Sequence, residues 1–306
     1  MTLEELNKRF GIAGSVSFEA GPGGLTQVAI RAKGGEARVM LHGAHVTHWQ
    51  PAGEKPVIWM SGKSWFEDGK PIRGGVPICL PWFGAATHAA DMPGHGIARL
   101  RAWEFISART LPDGRVEAVL ATRSDEWTQR YWPHEFVAKF TVVVGATLTM
   151  SLNMTNIDKA PYAITEALHT YFAVSDIHQV KVHGLENLDF TDTVGGVRRV
   201  VRQGGEPITF AAETDRNNTA TQATTVLEDP GMGRKITIEK TGSDSTVVWN
   251  PWIAKSAKMV DFGDDEWPGM VCIETANLGP DAVTIKPGKS HTMEARISIH
   301  SQRLLG

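Results

Sequence analysis

The chain has 306 residues, 42% of them hydrophobic and 21% charged, a balance that supports a sizeable core and excludes a disordered chain. A formal net charge of -3 and a pI near 6.4 lack the basic excess of a nucleic-acid binder. No run approaches the roughly 18 apolar residues of a membrane helix, and the opening MTLEELNKRFG has no apolar signal-peptide core.

One short helix is predicted at the start, where Thr2 and Glu5 form a T-x-x-E capping box. Leu3, Leu6 and Phe10 recur at helical spacing, and Gly11 ends the helix. GPGG at 21–24 reads as a turn. Beyond it period-two alternation dominates. RVEAVLATR reads as a strand, and EFVAKFTVVVG is followed, after a turn at Gly145 and Ala146, by TLTMSLNMTN. In that segment Leu148, Met150, Leu152 and Met154 share one face, with polar residues on the other. RKITIEKTG, STVVWNPW, GMVCIETAN, DAVTIKPG and SHTMEARISIH continue the pattern, separated by Gly, Pro, Asp and Asn. Many short strands with few helices predict an all-β chain of large antiparallel sheets packed as a sandwich. No composition shift, repeat or linker divides it, so one domain spanning 1–306 is expected, and the absence of heptads points to a monomer. Cys79 and Cys272 lie in apolar runs and are expected to be buried free thiols in a reducing cytoplasm.

The segment from about 60 to 100 breaks the alternation, and long irregular stretches of this kind are usually functional. It contains PIRGGVPICLPWFG and MPGHGIARLRAW. Here glycine pairs let the backbone approach a ligand closely, and Arg73, Arg99 and Arg101 with His95 provide donors suited to phosphate or carboxylate oxygens. The same arginines could equally pin a loop. His169, in ITEALHTYFAV, reads either as a core histidine or as a functional one. Glu274, in the apolar strand MVCIETANL, needs a partner or a task, because an unpaired buried charge is costly. Asp215 and Arg216 read as polar loop residues. LHGAHVTHW suggests a metal site, but on a straight strand His42 and His48 would lie about 20 Å apart with His45 on the opposite face, so no metal is expected there.

The strings RGGVPICLPWFG, HGIARLRAW, ALHTYF, VVWNPW followed by KMVDF, and MVCIETAN resemble the aldose 1-epimerase superfamily. More closely, they resemble its hexose-6-phosphate branch. ETDR and the terminal VTIKPGKSHTMEARIS fit the same pattern, and together the strings cover roughly residues 40–300. The resemblance implies a galactose-mutarotase-like β-supersandwich that interconverts the anomers of a hexose 6-phosphate without metal or organic cofactor. It implies His169 as general acid and Glu274 as general base, standing across the sugar as imidazolium and carboxylate. Arg73 and Arg99 would hold the phosphate, Asp215 would contact sugar hydroxyls and His95 would line the pocket. Two positions depart from the pattern. Gly94 replaces a frequent Gln before the HG, and Asn217 and Asn218 follow the DR where relatives tend to carry a tyrosine. Two alternatives remain at this stage: a mutarotase of unphosphorylated aldoses, which needs no arginine pair, and a non-catalytic carbohydrate-binding protein, which needs neither His169 nor Glu274.

Overall fold

The computed structural model describes residues 1–86, 92 and 94–301, so the portion of the irregular stretch at 87–91 and 93 lies outside the described residues. The N-terminal helix Leu3–Phe10 carries its capping box: the Glu5 amide donates to the Thr2 hydroxyl and the Thr2 amide to the Glu5 carboxylate. Short helices at Glu126–Tyr131 and Trp252–Ser256 had no clear sequence signal, because neither is long enough to show a 3.6-residue period. No helix among the described residues is long and apolar enough to cross a membrane.

Almost all the remaining regular structure is strand. One sheet runs Lys181–His183, Thr225–Asp229, Arg234–Thr241, Ser290–Ser301, Thr147–Asn156, Phe136–Val144, Val116–Arg123 and Glu104–Thr110, every neighbour antiparallel. Its middle strands alternate as expected. Leu148, Met150, Leu152 and Met154 are buried, while the residues between them are only partly covered. A second large sheet runs Arg199–Arg202, Asp189–Asp192, Thr214–Asn218, Ser245–Asn250, Met270–Asn277, Glu166–Leu168 and Ile78–Cys79. Val248, Val271 and Ile273 from this sheet share a core with Leu148, Met150 and Leu152 from the first, so the two sheets enclose one apolar layer.

The strands Ser245–Asn250 and Met270–Asn277 are buried at every position, so both of their faces are covered. The face away from the shared core carries Met270, Cys272 and Ala276 with Val247 and Trp249, in a smaller apolar cluster. A chain passing through the middle of a doubly covered sheet reads as a continuous apolar run, which explains MVCI. A buried carboxylate within that run is therefore exceptional. Cys79 and Cys272 are buried and unpaired.

The glycine pairs of the irregular stretch serve packing against protein rather than against a ligand. Gly75 has φ 66°, and a Cβ there would lie 2.2 Å from the His45 ring. Gly96 has φ 76°, and a Cβ there would meet the Leu80 carbonyl oxygen. His42 does not belong to the strand His45–Pro51, because Gly43 and Ala44, both at positive φ, turn the chain between them. The three histidines diverge to separate partners: His42 to the Lys70 carbonyl, His45 to the Gly74 carbonyl and His48 towards Glu36. Among the described residues no group of three or more His, Cys, Asp or Glu is arranged to hold a metal ion.

Candidate active site

Strand register builds the site. Asp215 pairs with Trp249, Trp249 with Cys272 and Cys272 with Tyr171, giving one row across the sheet. Two residues along, Asn217 pairs with Val247 and Val247 with Glu274. Because side chains alternate with period two, both rows project from the same face. Asp215 therefore sits on the strand Thr214–Asn218, not in the loop expected from its polar surroundings; the hydrogen-bond ladder on both sides holds this polar segment extended.

The strands Glu166–Leu168 and Tyr171–Ala173 both pair with Met270–Asn277, and His169 and Thr170 interrupt them. Leu168 faces Thr275 and Tyr171 faces Cys272, so the register carried across the interruption brings His169 opposite Glu274. Their side chains meet, His169 Nε2 to Glu274 Oε1 at 3.3 Å. Directly opposed strand residues are the closest side-chain neighbours a sheet provides. The His169 ring stacks on Tyr171, with centroids 4.9 Å apart and planes 12° apart, and meets His95 edge-on at 5.6 Å.

A cavity of about 710 Å³ opens over these rows. The six side chains to which the resemblance assigns roles all line it: His169, Glu274, Arg73, His95, Arg99 and Asp215. Arg101 does not. It follows the short turn Ala98–Leu100, pairs with Asp125 at the start of the helix Glu126–Tyr131 and lies over Trp127.

Three residues of the site went unassigned in the sequence although their motifs were visible. Asp261 of KMVDF is buried and accepts from Arg73, Nε at 3.2 Å and a terminal nitrogen at 3.1 Å. Tyr171 of ALHTYF accepts from the remaining Arg73 nitrogen at 3.1 Å. Trp249 of VVWNPW presents an aromatic wall to the cavity. Arg73 is thus oriented and largely neutralised; burial opposes its charge, but Tyr171 and Asp261 outweigh burial and hold its pKa above the usual guanidinium value. Arg99 differs. It is buried, gives one bond to the Gly94 carbonyl, leaves Nε without a partner and has no carboxylate within ion-pair distance among the described residues. Gly94 therefore serves Arg99 through its backbone carbonyl. Asn217 lines the cavity, while Asn218 turns away to the Thr246 carbonyl.

Burial dominates the titration of the pair. It holds His169 well below the ordinary imidazole value, and His95, then Arg99 and Arg73, push the same way. Burial and then the Asp215 carboxylate raise Glu274 well above the ordinary carboxyl value, against the pull of Arg99. Burial thus favours the neutral ring over the imidazolium expected of His169, which stands beside Glu274 rather than across a sugar-wide gap. Burial also pushes His95 down to about 3, and the Gly84 amide points at its Nδ1, leaving the ring proton on Nε2. Asp215 is raised by burial, with Lys255 at 3.9 Å.

These shifts set an acid limit on stability. His45, His95 and His169 stay neutral when folded and take up protons near pH 6.5 when unfolded. Stability is therefore present above pH 6.5 and falls below it, by up to about 1.4 kcal/mol per pH unit for each. Glu274, raised by burial, works in the opposite direction above the ordinary carboxyl value and offsets part of this loss, whereas His291, raised by its bond to buried Glu166, is protonated in both states below pH 6.5 and adds no slope there. Melting temperature is expected to drop steadily from pH 7 to pH 4.5; an unchanged value over that range would contradict the burial of these rings.

The aldose 1-epimerase family profile matches residues 26–298. A protein of Cenchrus ciliaris provisionally named glucose-6-phosphate 1-epimerase is 36% identical over 277 residues, 88% of this chain and 83% of its own length. One of Escherichia coli K12 with the same provisional name is 36% identical over 260 residues, 85% and 86% of the two chains. The crystal structure of YeaD from Salmonella typhimurium, provisionally named a mutarotase, superposes with a TM-score of 0.85 at 32% identity over 94% of both chains.

Proposed function

The chain belongs to the aldose 1-epimerase family, and from that premise we propose that it interconverts the α and β anomers of a hexose 6-phosphate, glucose 6-phosphate in the first place. The observation that carries the reading is the His169–Glu274 contact of 3.3 Å in a cavity that also holds Arg73 and Arg99.

Opening a cyclic hemiacetal takes two proton transfers at oxygens bonded to one carbon. Glu274 removes the proton of the anomeric hydroxyl, and His169 protonates the ring oxygen. The C1–O5 bond breaks, the aldehyde turns about C1–C2, and the ring recloses with both transfers reversed. Because the two oxygens share C1, an acid and a base side by side serve them from one face of the sugar. Burial keeps Glu274 a strong base whenever it is ionised, and each positioned proton-transfer group contributes about 10²–10⁴ in rate. Trp249 offers its ring to the apolar face of the sugar, Asp215 accepts from hydroxyls, and His95 donates from Nε2. Arg99 is the principal phosphate ligand, since no carboxylate among the described residues pairs with it; Arg73, oriented by Asp261 and Tyr171, adds its remaining N–H groups. Every one of these residues comes from one chain, so the site needs no residue from a second subunit. Its buried free thiols accord with the cytoplasm.

One observation favours a second reading, mutarotation of unphosphorylated aldoses: Arg73 is already engaged by Asp261 and Tyr171. Nuclear magnetic resonance of freshly dissolved α-glucose 6-phosphate and α-galactose separates the two. Acceleration chiefly of the phosphorylated sugar is expected; equal acceleration of both supports the second reading, and acceleration of neither leaves a carbohydrate-binding protein. With an acid and a base already present, activity is expected to survive dialysis against EDTA. Loss of activity that zinc restores would overturn the mechanism.

A further inference from the structure

The charges lining the cavity do not balance. Arg73 is paired with Asp261. Lys255 is paired with Glu213 at 2.9 Å and approaches Asp215. Arg198 also reaches the cavity but is exposed to solvent; Arg99 is the buried cation that no described carboxylate pairs. It shares the cavity with His169. The groups facing His169 come from several elements. Glu274 stands on the adjacent strand; Tyr171 and Trp249 present rings at 4.9 and 6.0 Å; His95 lies on the loop above. Beyond these stand the Arg99 and Arg73 guanidiniums, Asp261 behind Arg73, Asp215 across the cavity, and the neutral thiols of Cys79 and Cys272. Burial therefore dominates at the His169 ring, and the neighbouring His95 and the unpaired charge of Arg99 add to it; all three oppose the proton that an acid must carry.

We infer that the phosphate dianion of the substrate arms the acid as well as anchoring the sugar: on binding Arg99 it cancels the positive charge beside His169, and His169 takes up from solvent the proton it then gives to the ring oxygen. The inference rests on the mutarotase reading and adds to it a reason for phosphate selectivity in turnover rather than in binding alone. The protons balance. One enters with the dianion, passes from His169 to the ring oxygen as Glu274 takes the hydroxyl proton, returns when the ring recloses, and leaves with the product. Free aldoses fill the same cavity but leave His169 unloaded.

Supplying the dianion separately tests this. The wild-type protein is assayed for mutarotation of α-glucose at pH 8 in sodium sulfate and in sodium chloride of equal ionic strength. Sulfate is the probe because it is a tetrahedral dianion too weakly basic to catalyse the reaction itself. A saturable rise in kcat of about tenfold or more is expected, since each pH unit by which the acid's pKa rises multiplies its loaded fraction by about ten. The alkaline limb of the rate profile should move up by about one pH unit. Arg99→Gln should raise that limb without sulfate and abolish any further response to it, which a residue that merely clamps phosphate would not do. Glucose turnover that sulfate leaves unchanged or inhibits overturns the inference, whatever the fate of the variant. If the protein fails to accelerate glucose 6-phosphate in the first place, it is the mutarotase reading that falls.

Discussion

Glu274→Gln is expected to lower kcat for anomerisation by at least about 10²–10⁴ while leaving the fold intact. Glutamine keeps the shape of the side chain and removes the basic oxygen that takes the hydroxyl proton. It also removes a carboxyl buried to 1% exposure whose Oε2 has no partner, so the variant should melt no lower than the wild type. His169→Ala is expected to lose a similar factor through the acid. Because the two share one proton-transfer step across a 3.3 Å contact, the double variant should be far less impaired than the product of the single losses. Polarimetry on all three variants, with circular dichroism to establish folding, checks the claim. Near-wild-type anomerisation by either single variant would remove that residue from the mechanism.

The second large effect belongs to Arg99. Arg99→Ala should reduce kcat/KM for glucose 6-phosphate by roughly 10- to 150-fold, the loss of a charge-assisted hydrogen bond worth about 1.5–3 kcal/mol. Arg73→Ala should cost less on phosphate, because Asp261 already cancels its charge, and more in stability, because it leaves Asp261 buried and unpaired. Kinetics on phosphorylated and free glucose distinguish these roles. A loss that is equal for the two sugars in Arg99→Ala would assign Arg99 to structure and return the phosphate to another ligand.

Much of this was legible in the chain because it is local. Alternation in TLTMSLNMTN is a property of ten consecutive residues, and the strand Thr147–Asn156 carries it unchanged. The capping box of Thr2 and Glu5 spans four residues. A carboxylate within MVCIETAN announced its own exception, since a sheet strand covered on both faces has no solvent for it. Motif resemblance brought His169, Glu274, Arg73, Arg99, His95 and Asp215 into one list, and the cavity gathers all six.

What tertiary structure alone decided is which segments became neighbours. Nothing local in TDRNN marks a strand; its place between Asp189–Asp192 and Ser245–Asn250 extends it and turns Asp215 to the cavity. Asp261 is an ordinary acidic residue until the fold sets it against Arg73, and Arg101 resembles Arg99 until Asp125 claims it. The protonation of His169 is of the same kind. An imidazole's charge depends on burial and on every cation within reach, and here those come from segments far apart in the chain. Residue type and local period are written along the sequence, whereas register, charge balance and dielectric environment exist only once the sheets have assembled.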